Sequence, residues 1–168
     1  MSQFTEALVV SPLADGKTWV VLRPFGYDRG VEGSGDRIHV EIGFMTDFAS
    51  VPRPLWVVLP RWGKYGNAAV IHDWLYWSQE RLSRAEADGV FLEAMTVLGV
   101  SAWQKYPMYR AVRLLGWLAW WRNQWDRVDG FDRVLRRQLV KSIESSARPS
   151  LMRRAWRHMR RPSTPPES

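Results

Sequence analysis

The chain has 168 residues, of which 46% are hydrophobic, which fits one packed domain with a tail and excludes global disorder. It has no cysteine, and that rules out disulfides, thiolate metal sites and a cysteine nucleophile. The net charge of +7 is unevenly spread. Residues 133–161 carry a net +9, whereas residues 1–132 are near neutral. A basic segment of this kind favours an anionic partner or serves as a solvated helical face.

TEALVV and KTWVVLRPF (residues 5–10 and 17–25) predict two strands, with Ala14, Asp15 and Gly16 as the turn. Four glycines in residues 26–36 predict a flexible loop or hairpin tip. RIHVEIG (37–43) alternates Ile38, Val40 and Ile42 with polar residues, which predicts a half-buried strand with His39 on its solvated face. Pro52, Pro54 and Pro60 exclude a regular helix or central strand from residues 44–62. Asp47 lies in that apolar connection. It is a candidate catalytic or metal carboxylate, or a cap for the turn that follows.

NAAVIHDWLYW (67–77) places His72 and Asp73 side by side in a helix that is apolar nearly all round, with Tyr76 one turn on. Burying such a pair is costly unless it is hydrogen-bonded, ion-paired or metal-bound. The pair is therefore either a site or a structural tie. Ser83-Arg84-Ala85-Glu86 reads as a capping box that opens a second helix, closed by Gly99, with Ala87, Val90, Phe91, Ala94 and Met95 as its core stripe. The short connection makes the two helices antiparallel neighbours, so Asp88 can approach His72. A first-turn acid favoured by the helix dipole is the alternative. A third helix is expected from Pro107 to about Trp125, with Trp117, Trp120, Trp121 and Trp125 expected mostly in the core. A basic amphipathic helix over 131–146 and a short basic helix after Pro149 complete the pattern. The fold class is α+β: a small N-terminal antiparallel sheet followed by about four to five helices. The domain reading is a globular core over 1–130, basic amphipathic helices over 131–161 and a disordered tail over 162–168.

No Gly-x-Ser-x-Gly turn, phosphate-binding glycine loop or His-Glu-x-x-His helix is present. A lone histidine among carboxylates suits another chemistry. His72 would act as general base, Asp88 would orient its ring with Tyr76 in support, and Asp73 and Asp47 would hold calcium or another divalent cation. The segments TDFASVPRPLW, GKYGNAAVIHDWLYW, AEADGVFLEAM and MYRAVRLLGW, in this order, resemble an uncharacterised domain family found mainly in bacteriophages and prophages. That resemblance covers roughly residues 5–120 and implies a phage origin. HD-x-x-Y followed by Ala-Asp-x-x-Phe on the next helix also resembles the core of secreted phospholipases of the A-two class. It implies that His72 activates water, Asp73 binds calcium and Asp88 orients His72, with Tyr76 hydrogen-bonded beside them. The chain departs from that class in lacking cysteines and a glycine-rich calcium loop.

The expected activity is thus metal-assisted hydrolysis of a lipid or cell-envelope ester. The alternative is a non-enzymatic phage structural or host-interaction protein in which the polar cluster is structural. Arg153, Arg154, Trp156, Arg157 and Arg160 are candidate binding residues for an anionic membrane surface or a host or phage protein. Nucleic acid could also bind through residues 133–161. No signal peptide or membrane-spanning segment is evident, so the expected location is the host cytoplasm or the virion.

Overall fold

The structure, a computed structural model, describes residues 2–30, 35–48, 65–79 and 81–147. Among the described residues six short strands precede four helices, so the fold is α+β. The strands are β1 (Gln3–Phe4), β2 (Val10–Pro12), β3 (Trp19–Val21), β4 (Phe25–Asp28), β5 (Arg37–Val40) and β6 (Met45–Thr46). They form two three-stranded antiparallel sheets, β1-β4-β5 and β2-β3-β6, rather than one. The β2–β3 hairpin turns on Asp15, whose carboxylate accepts hydrogen bonds from the Thr18 hydroxyl and the backbone N–H groups of Lys17 and Thr18. Those bonds, the Thr18 hydroxyl first, pull its pKa down to about 2.

Residues 26–28, expected in a loop, belong to β4 and are buried. Glycine is needed at position 26 because a Cβ there would lie 2.9 Å from the Ile38 carbonyl oxygen. This glycine marks close packing of strands rather than flexibility. Along β5, Ile38 and Val40 are buried while Arg37 and His39 are exposed, as alternation requires.

Helix α1 (Gly66–Ser78) is central, with Ala68 through Asp73 and Leu75 through Trp77 buried against α2, α3 and both sheets. It ends where Gln79 turns left-handed (φ 50°). Its last carbonyls are then met from outside, as helix ends require. Gln79 and Asn123 side chains donate to the Tyr76 carbonyl, and Arg127 donates to those of Trp77 and Ser78. Helix α2 (Arg84–Val97) opens with the full capping box of Ser83 and Glu86 and buries Ala87, Val90, Phe91, Ala94 and Met95.

Helix α3 (Ala102–Val128) starts a turn earlier than expected, with Pro107 inside it. It buries only Met108, Val112 and Asn123. Trp117, Trp121 and Trp125, expected in the core, are exposed, and only Trp120 packs inward, edge-on to Tyr76 at 5.2 Å. Helix α4 (Arg137–Ala147) starts six residues later than the amphipathic pattern suggested. Residues 133–135 instead extend the β6 edge: the Met45 N–H donates to the Arg133 carbonyl, and the Leu135 N–H donates to that of Gly43. Backbone pairing with an open sheet edge outweighs helix propensity there. Among the described residues, no helix is long and apolar enough to cross a membrane.

Candidate active site around His72

Three helices converge on the Asp88 carboxylate, which has no solvent exposure. Its Oδ1 faces His72 Nε2 at 2.9 Å and accepts the Tyr76 hydroxyl at 2.6 Å. Its Oδ2 accepts from Arg84 at 3.3 Å and Arg113 at 3.0 Å. The i, i+4 spacing of His72 and Tyr76 puts both on the α1 face turned to α2, as their sequence positions imply. Burial alone would raise the Asp88 pKa. The bonds from His72, Tyr76 and Arg113 outweigh it and hold the carboxyl below its ordinary value. The Tyr76 hydroxyl shifts upward, through burial first and then its bond to Asp88.

An ionised Asp88 only accepts hydrogen bonds, so in the neutral imidazole the proton sits on Nε2. Nδ1 is left with its lone pair, and it is buried with no hydrogen-bond partner among the described residues. The ring is fixed between Tyr76 and Phe91, at centroid distances of 4.1 and 4.8 Å. His72 lines a cavity of about 330 Å³ together with Asp47, Asp73 and Tyr76. α3 forms its apolar wall through residues such as Val112, Leu115 and Leu118, and Arg122, Asn123 and Arg133 add polar groups.

Asp73 is held differently from Asp88. Its Oδ2 accepts the Thr46 hydroxyl at 2.5 Å, and Thr46 Oγ1 in turn accepts the Phe48 N–H at 3.1 Å. This links α1 to β6 and to Asp47, which is exposed at the cavity. The two carboxylates offer oxygen donors of the kind hard divalent cations take. No group of three or more His, Cys, Asp or Glu suited to a metal occurs among the described residues. Asp73 and Asp47 are two such carboxylates, and both line the cavity.

The family described as "Protein of unknown function (DUF1353)" matches residues 19–112. The chain belongs to the DUF1353 family. That match takes in α1, α2 and the first part of α3, and with them His72, Asp73, Tyr76, Arg84 and Asp88. No curated protein and no solved structure matches this DUF1353 chain.

His72, Tyr76 and Asp88 thus share one hydrogen-bonded cluster, and Asp47 and Asp73 share the adjoining cavity. Asp88 itself sits behind His72 rather than among the residues lining that cavity. Arg153, Arg154, Trp156, Arg157 and Arg160 lie outside the described residues. Sequence reasoning missed Arg84, Arg113 and Thr46. Two of them had a signal: Arg84 stands four residues before Asp88, and Arg113 interrupts an apolar run for which an inward acid is a natural reason.

Proposed function

We propose that this protein is a metal-assisted hydrolase in which His72 is the general base toward a lipid or cell-envelope ester. The observation that carries this reading is the division of the His72 ring, with Nε2 committed to Asp88 and Nδ1 without a partner among the described residues, on a side chain that lines a cavity. Nδ1 would take a proton from a water as its oxygen bonds to the ester carbonyl carbon. Asp88 would stabilise the resulting imidazolium, and the same proton would pass to the departing alkoxide, giving acid and alcohol. Asp88, Tyr76, Arg84 and Arg113 keep the ring in place. Asp73, with Asp47, would hold the cation. A calcium or other divalent ion bound there supplies positive charge to stabilise the developing oxyanion.

The test is hydrolysis of a phospholipid and a soluble ester with and without divalent cations. His72→Gln should lower the rate by about 10²-fold or more while the fold is retained. Asp73→Asn should remove any cation-dependent rise in melting temperature. Absence of both hydrolysis and cation-induced stabilisation in the wild-type protein would end this reading.

The full burial of Asp88 between three helices favours a second reading, in which the cluster is a structural tie in a non-enzymatic phage structural or host-interaction protein. His72→Gln would then alter stability alone. The phage or prophage origin, and a location in the host cytoplasm or virion, rest on the four motif segments. Residues 133–161 would supply contacts to an anionic membrane, a host or phage protein, or nucleic acid.

A further inference from the structure

The outward side of α3 carries Leu114, Trp117, Leu118, Trp121, Trp125 and Val128 at spacings of three and four residues, all exposed. Leu114 is 72%, Trp125 66% and Val128 80% exposed. Trp103 and Tyr106, also exposed, continue the same stripe toward the N-terminus. At about 1.5 Å per residue the stripe runs for roughly 40 Å. A continuous apolar surface of this length marks an interaction site. The opposite side of the helix, with Met108, Val112 and Asn123, is the one packed on the core.

We propose that this face of α3 docks the protein on an anionic lipid bilayer. Charge selects the occupant. Arg110 lies exposed within the stripe, and no Asp or Glu does. A second copy of the chain would bury that guanidinium without a counter-charge, which is costly. At a bilayer its aliphatic stem covers apolar surface while the head reaches a lipid phosphate. The five aromatic rings of the stripe are the amphipathic kind that settles at headgroup depth. Arg122 is exposed at the margin of the stripe, 3.9 Å from Asp126, while Arg127 is turned to the carbonyls of α1, so Arg110 is the cation within the stripe itself. The surface is also continuous with the His72 cavity, because Leu115 and Leu118 are exposed and line it. A docked α3 therefore brings the cavity edge to the lipid. This deepens the hydrolase reading by naming aggregated anionic lipid as its working surface. It rests on that reading for its purpose, while the contact itself stands on α3.

The experiment is co-sedimentation of the 168-residue chain with phosphatidylglycerol vesicles and with phosphatidylcholine vesicles, scored as binding and not as turnover. The wild type should favour the anionic vesicles. Leu114→Glu combined with Trp121→Glu should weaken that binding by about tenfold or more, since apolar burial is replaced by charge repelled from the surface. The circular dichroism of this variant should match wild type. Wild-type binding to anionic vesicles whose lipid is not hydrolysed would sink the hydrolase reading and leave this one standing. Equal binding of the wild type and the α3 variant would overturn the proposal. So would binding that survives in the α3 variant but is lost when Arg153, Arg154, Arg157 and Arg160 are replaced by Ala, because the C-terminal segment would then be the contact. A wild-type dimer that binds no vesicles and becomes monomeric in the α3 variant would assign the face to a second copy.

Discussion

Helices α1 and α3 are both rich in tryptophan and aliphatic residues, yet they meet opposite fates. α1 buries nine of its 13 residues, whereas α3 buries three of its 27. Composition fixes how much a helix is able to bury, and the number of surfaces packed against it decides how much it does bury. α1 has α2, α3 and both sheets around it, so its ionisable groups must find partners on those neighbours, as His72 and Tyr76 do at Asp88 and Asp73 does at Thr46. α3 has the body of the protein on one side only, and its second apolar face is left outward.

This contrast can be broken or sharpened by substitution. The largest effect is expected at Asp88. Asp88→Ala removes the shared acceptor of His72, Tyr76, Arg84 and Arg113, and should cost about 3–5 kcal/mol in urea unfolding. A loss as small as that of a surface substitution would erase the distinction. The same carboxylate sets a pH dependence. Its pKa is lower in the folded state, so its contribution is fully present above the unfolded value near 3.8 and is lost as pH falls through the lowered value. Stability measured from pH 5 downward should therefore fall, and Asp88→Asn should flatten that fall.

Gly116→Ala comes next. An added Cβ would collide with the Tyr76 hydroxyl, so the contact between α3 and α1 must open. The expected cost is about 1–3 kcal/mol, with the Tyr76–Asp88 hydrogen bond displaced. Ser83→Ala deletes the side-chain cap of α2 and should cost about 1 kcal/mol by thermal unfolding. The smallest effect belongs to the outer face of α3. Trp125→Gln should change stability by no more than about 0.5 kcal/mol, because that side chain packs on little. A loss of several kcal/mol there would mean that the face is already covered within the chain.

Local signals carried much of the fold into view. The Ser83–Glu86 box, the stripe of α2 and the alternation of β5 are each written in a few adjacent residues, and each stands in the structure. The approach of Asp88 to His72 was legible because a short connection joins two helices whose facing positions are known. Tertiary choices were less visible. Nothing in four tryptophans at helical spacing says how many sides of the helix the protein will cover. Gly26 looks like any loop glycine until the Ile38 carbonyl lies above it. The delay of α4 to Arg137 depends on a sheet edge formed by residues some 90 positions earlier. Arg113 was visible only as an interruption in an apolar run, since its partner lies on a different helix.

Asn123 and Arg127 of α3 hold the final carbonyls of α1, one turn beyond His72. Mechanically this makes α3 a lever with its short arm on the His72 helix. A load that tilts α3 is passed to α1 through those side-chain bonds. The imidazole, clasped between Tyr76 and Phe91, would then shift with the α1 turn that carries it. The outer surface of α3 and the His72 ring are thus joined through the hydrogen bonds of Asn123 and Arg127.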